Sequence, residues 1–166
     1  MTNNAVLFTA KISGTGVTKA NGTGIWLWDG TNTYLIARAG DAAPGIPVAG
    51  AKFKVLGAPL ANPNGRVAFT ASLTGTGVTS SNDAGLWTVS EDGVTPALRL
   101  RKGESYNFGS TELPFNRTIT SIAVTAGSAG DDGFARGIDQ DGYVAVLIGL
   151  GKAGSPYGQA ILQVSP

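Results

Sequence analysis

The sequence predicts an all-β chain of repeated antiparallel four-stranded units, about two and a half of them, on three observations. First, Val6–Val17 (VLFTAKISGTGV) returns 61 residues later as Val67–Val78 (VAFTASLTGTGV), identical at eight of twelve positions. Self-similarity at a fixed period marks an array of supersecondary units. Second, both copies alternate: Val6, Phe8, Ala10 and Ile12, then Val67, Phe69, Ala71 and Leu73, place apolar groups on one face, the signature of a half-buried strand. Third, Gly-, Asn- and Pro-rich turns separate such runs, and no apolar i, i+3, i+4, i+7 pattern interrupts them. The expected organisation is a single domain over 1–166, with units at about 1–61, 62–138 and 139–166. A β-sandwich is the alternative arrangement.

Taken in order, the opening strand around Val6–Ile12 is followed by a polar loop, Thr18–Thr23, and a second strand at Gly24-Ile25-Trp26-Leu27-Trp28. Apolar groups on both sides of that run place it between layers. A third strand runs through Thr33-Tyr34-Leu35-Ile36-Ala37-Arg38 and ends at Gly40-Asp41; Lys52-Phe53-Lys54-Val55-Leu56 closes the first unit. The second unit begins at the turn Asn62-Pro63-Asn64-Gly65, whose Asn at the first position and Gly at the fourth suit a tight reversal. It continues through Gly85-Leu86-Trp87-Thr88-Val89 and Pro96–Arg101, ends at Gly103-Glu104, and adds a strand at Thr118–Val124, a loop at Gly127–Gly133 and a run at Phe134–Ile138. Asp139-Gln140-Asp141-Gly142 repeats the turn. Val144–Leu150 and Gln159–Val164 then repeat the first two strands, with Ile161 at the place of Trp26 and Trp87. The repeat predicts matching environments for Phe8 and Phe69.

Composition excludes several chemistries. The chain has no Cys and no His, which removes disulfides, thiolate nucleophiles, Cys/His zinc sites and His-based triads. The net charge is +1 and the cations are scattered without interleaved aromatics, so no nucleic-acid partner is expected. No apolar run approaches the ~20 residues of a membrane helix, and the residues ahead of the first strand lead to no expectation of a signal peptide. Only 14% of residues are charged and 25 are Gly. The surface is therefore largely Ser, Thr, Asn and backbone, which points to an extracellular or cell-surface β protein.

The candidate site residues are few. Trp28 and Tyr34 are candidates for stacking a sugar, with packing as the competing role; Trp26 and Trp87 read as core. Tyr34, Tyr106, Tyr143 and Tyr157 share no register along the repeat. Asp131, Asp132, Asp139 and Asp141 place four carboxylates within eleven residues, a set that could hold Ca²⁺; Asp-x-x-Gly is equally turn chemistry. Arg38 and Arg101 stand near Asp41 and Glu104, for which a repeated ion pair or a bond to backbone carbonyls is the expected use. No acid pair is placed for glycoside cleavage, no phosphate loop is present, and neither catalysis nor a cofactor is expected.

Asn62-Pro63-Asn64-Gly65-Arg66-Val67-Ala68-Phe69, followed by Gly85-Leu86-Trp87, resembles the bacterial tandem repeat described as N-x-x-G-x-V-A-F. Arg38-Ala39-Gly40-Asp41-Ala42-Ala43-Pro44-Gly45 is similar to the Arg-x-Gly-Asp-x-Ala-Pro-Gly segment of the same repeat, and Arg136–Ala145 to a terminal copy. The resemblance implies an exported, often surface-anchored protein with a β-propeller-like repeat, and supplies no catalytic residues. A propeller needs about four to eight blades to close. On that count two and a half units leave strand edges open, and open edges pair with something. The expected role is a non-catalytic extracellular structural protein that self-associates through those edges into an oligomer or filament. A carbohydrate-binding module using Thr18–Thr23, Thr79–Ala84 and Gly127–Gly133 is the alternative.

Overall fold

The computed structural model describes residues 5–47, 49–62, 64–89, 93–107, 109, 116–124, 137–152 and 155–166, and among these there is no helix. The strands are β1 (Val6–Lys11), β2 (Thr23–Trp28), β3 (Thr33–Arg38), β4 (Lys52–Leu56), β5 (Leu60–Ala61), β6 (Val67–Thr74), β7 (Ala84–Val89), β8 (Pro96–Arg101), β9 (Ser105–Asn107), β10 (Asn116–Val124), β11 (Val144–Lys152) and β12 (Ser155–Val164). They form three antiparallel sheets: β1-β2-β3; β4-β6-β7-β8 with β5 also on β6; and β12-β11-β10-β9. The fold is all-β, as the alternation predicts.

The repeat is written in the pairing. Phe8 faces Trp26 across β1 and β2, Phe69 faces Trp87 across β6 and β7, and Val146 faces Leu162 across β11 and β12. Leu162, rather than Ile161, therefore holds the place of Trp26 and Trp87, a one-residue correction that moves Ile161 to the opposite face of its strand. The Gly two residues before each Trp is demanded by packing. A Cβ on Gly85 would lie 2.7 Å from the Trp87 ring, and one on Gly24 would lie 2.9 Å from Trp26 Nε1.

The strands are dealt out differently from the sequence units. β4 closes the first unit in sequence, yet it pairs with β6 of the second: Phe53 opposite Leu73 and Val55 opposite Ser72. The cause is packing. Phe53 is buried and sets its ring edge-on against Trp87 at 5.0 Å and Phe69 at 5.9 Å. Gly40, at φ 86°, turns the chain out of β3, and its N–H donates to Phe53 O at 2.8 Å while Phe53 N–H donates to Asp41 O at 3.0 Å. The next unit repeats this with Gly103 at φ 88°, Gly103 N–H to Ile119 O and Ile119 N–H to Glu104 O, and β10 joins β11. Each sheet is thus stitched to its predecessor by a strand borrowed across the unit boundary. Of the expected run at Phe134–Ile138, residues 134–136 lie outside the described residues; Ile138 forms a bridge with Val144.

The sheets share two apolar cores. Between the first and second sheets lie Ile25, Leu27, Ile36, Phe53, Val67, Phe69 and Trp87. Between the second and third lie Ala68, Leu86, Leu100, Ile119, Val144, Val146 and Ile148. The second sheet is covered on both faces, which is why Ala68 and Leu86 are as buried as Phe69 and Trp87. The expected likeness of Phe8 and Phe69 holds for pairing and fails for burial: Phe69 is 1% exposed and Phe8 37%. The reason is position in the stack, since the face carrying Phe8 has no described sheet upon it.

Candidate assembly surface

The loops after β1 and β6 are duplicates down to their side-chain hydrogen bonds. Thr18 N–H donates to Asn21 Oδ1 at 2.6 Å and Asn21 Nδ2 to Gly16 O at 3.1 Å; Thr79 N–H donates to Asn82 Oδ1 at 2.8 Å and Asn82 Nδ2 to Gly77 O at 3.2 Å. Short Asn and Thr side chains here satisfy the backbone of their own turn. Arg38 and Arg101 complete the pattern: Arg38 Nε donates to Asn21 O at 2.7 Å and Arg101 Nε to Asn82 O at 3.3 Å. Of the two expected uses of these arginines, the backbone carbonyl is the one found. The acids act at their main chains, and the described ion pair is elsewhere, Lys102 with Asp83 at 3.0 Å.

The turn that opens each later unit forms the seam between the second and third sheets. Asn62 is buried; its Oδ1 accepts from Arg66 N–H at 2.8 Å, and its Nδ2 donates to Asp139 O at 2.6 Å and Gln140 O at 2.9 Å. Asn64 Nδ2 reaches Gln140 O at 2.8 Å. The Asn of the motif therefore holds one turn against the next. Asp139, its counterpart, accepts from Asp141 N–H at 3.0 Å and Tyr143 N–H at 2.8 Å. Those bonds are the turn chemistry weighed against Ca²⁺ for this pair. Asp131, Asp132 and the loop Gly127–Gly133 lie outside the described residues, and among the described residues no three acids gather as metal ligands.

Trp28 is 39% exposed and Tyr34 38%, and they fall on opposite faces of the first sheet, because Val6 pairs with Trp28 and Leu27 with Tyr34. They do not form one sugar platform. Tyr34 is engaged with Asp29, whose carboxylate also accepts the backbone N–H groups of Asn32 at 2.7 Å and Thr31 at 2.8 Å in the turn between β2 and β3. The Asn32 bond first, then those from Thr31 and the Tyr34 hydroxyl, hold the Asp29 pKa below the usual aspartate range. A depressed folded-state pKa contributes stability that is present above the unfolded-state pKa and lost as pH falls through the folded-state value. The melting-temperature gap between the wild type and Asp29→Ala is therefore expected to be full above the ordinary aspartate pKa of 3.8 and to close progressively as pH falls below it. A gap that stays constant through that fall would contradict the assignment.

What sequence reasoning missed is a face. Val6, Phe8, Trp26 and Trp28 share the outer side of the first sheet, with Val6 48% and Phe8 37% exposed. Their counterparts in the second sheet, Val67, Phe69, Trp87 and Val89, are at most 2% exposed. The indoles carry the same contrast. Trp87 Nε1 donates to Pro44 O at 3.0 Å across the core, while Trp26 Nε1 is buried without a hydrogen-bond partner. At the far end of the stack, Ile161 is 77% exposed where its counterpart Leu86 is fully buried. The signal was available in the alignment of the copies, but it needed the order of the sheets to be read.

No curated protein and no solved structure matches the chain. A family model described as a family of unknown function, DUF7453, matches residues 2–153, and the chain therefore belongs to that family.

Proposed function

We propose that the chain is a non-catalytic structural protein of an extracellular or cell-surface setting that associates with copies of itself. The contact is made by the outer edges of β1 and β12 and the faces beside them. The observation that carries this reading is the matched pair of sites: Phe8 and Trp26 stand exposed or half-buried where Phe69 and Trp87 are sealed under a neighbouring sheet. An open apolar face suits a sheet that carries exposed apolar groups of its own. A second copy presents such a sheet, with Ile161 outward. Neither β1 nor β12 has a second neighbour among the described strands, and unpaired edges add strands readily. Heterologous contact of this kind gives rings if it closes and filaments if it does not. Low surface charge and the absence of His and Cys support a structural rather than a catalytic role.

Sedimentation velocity over a concentration series tests the proposal. The wild type is expected to form discrete oligomers or filaments at micromolar concentration, and Phe8→Asp to shift it to monomer. Val55→Ser, which removes an apolar group 60% exposed on a different sheet, should leave association unchanged. A wild type that stays monomeric throughout would overturn the reading.

A further inference from the structure

A second surface stands apart from the stacking face and does not depend on it. Where the loop after β1 meets the start of β4, an open cleft of about 670 Å³ is lined by Lys19, Arg38, Lys52 and Lys54, together with Thr18 and Asp41. Four of the chain's 12 Lys and Arg residues thus line one cleft beside a single carboxylate. None of the four forms an ion pair with a described residue. Arg38 is held by its Nε bond to Asn21 O, and the three lysines are exposed.

The repeat supplies an internal control. Phe53 and Ile119 make the same bonds to the preceding turn, and β4 and β10 both shift register one residue later. Lys52 and Lys54 therefore correspond to Thr118 and Thr120, and Lys19, in the duplicated loop, to Ser80. Arg38 corresponds to Arg101, which the loop bond explains in both copies. The architecture is satisfied by Ser and Thr at three places where the first unit carries lysine. The positive charge is an addition to the fold and not a requirement of it.

We infer that this cleft is a binding site for an anionic oligosaccharide bearing several sulfate or carboxylate groups. Cations drawn from a loop, the end of β3 and alternate positions of β4 suit charge distributed along an extended ligand. The exposed Thr74, which also lines the cleft, supplies hydroxyl chemistry that a sugar can pair with. The field of several cations in one concave site raises the local concentration of such an anion and weakens with added salt.

Calorimetric titration of the full 166-residue chain with a sulfated tetrasaccharide, its unsulfated counterpart and inorganic pyrophosphate tests this. The sulfated sugar is expected to bind, with affinity falling as salt rises, and the unsulfated sugar to show no heat. The triple variant Lys19→Ser/Lys52→Thr/Lys54→Thr, which installs the residues of the second unit, should lose at least about tenfold in affinity, each tenfold being about 1.4 kcal/mol. Its melting temperature should be unchanged. Equal binding by wild type and variant would overturn the site, and pyrophosphate binding as tightly as the tetrasaccharide would overturn the extended ligand. Phe8→Asp, which separates copies, should bind as the wild type does, so failure of association and failure of this site are read separately.

Discussion

Phe69→Ala is expected to cost about 3–5 kcal/mol of stability, as truncation of a buried aromatic does, while Phe8→Ala at the equivalent position costs about 1 kcal/mol or less in the monomer. The two residues share strand position, cross-strand partner type and flanking sequence. They differ in what lies above them. Phe69 stacks on Trp87 at 5.9 Å and meets Phe53 edge-on at 5.9 Å, so its loss empties the centre of the first core. Phe8 has a free side and can be removed without leaving a cavity. Urea unfolding at a concentration where sedimentation shows only monomer measures both. Above the association threshold the difference is expected to narrow, because Phe8 is then covered. Equal losses in the monomer would mean that the outer face of the first sheet is already occupied in solution, and would remove the basis for assembly.

Asn62→Asp is expected to cost about 3 kcal/mol, whereas Asp139→Asn is expected to stay within about 0.5 kcal/mol. The pair probes the seam between turns. Asn62 is 7% exposed and uses both ends of its amide, accepting from Arg66 N–H and donating to two carbonyls of the following turn. A carboxylate keeps the acceptor and loses both donors, leaving Asp139 O and Gln140 O facing a charge of the wrong sign. Asp139 is exposed and only accepts, so an amide serves it equally well. Thermal unfolding of the two variants decides the matter. A mild effect at Asn62 would show that the turns are held by their sheets and not by this amide.

The strand pattern was legible because hydrophobic patterning and Gly-Asn-Pro turns are local properties: β1 and β6 fall where the period-two runs place them and β2, β7 and β11 where the apolar runs do, while β12 begins four residues before its expected run. Short β5 and β9, of two and three residues, left no such pattern. The carbonyl use of Arg38 and Arg101 was narrowed to one of two options and no further, since an Arg near an acid in sequence reads the same whether or not the side chains meet. The place of Ile161 was misread by one residue because the third copy has no Trp to anchor the alignment, and a one-residue slip reverses the face.

By itself the sequence determined the longer strands, the repeat and the turn chemistry, all of which depend on neighbours a few residues apart. Only the tertiary structure decided that β4 belongs to the second sheet, that Phe8 is open where Phe69 is sealed, and that Lys19, Arg38, Lys52 and Lys54 line one cleft. The physical reason is the same in each case. Two copies of one phrase have the same local preferences, and what distinguishes them is which sheet, if any, packs against their outer face.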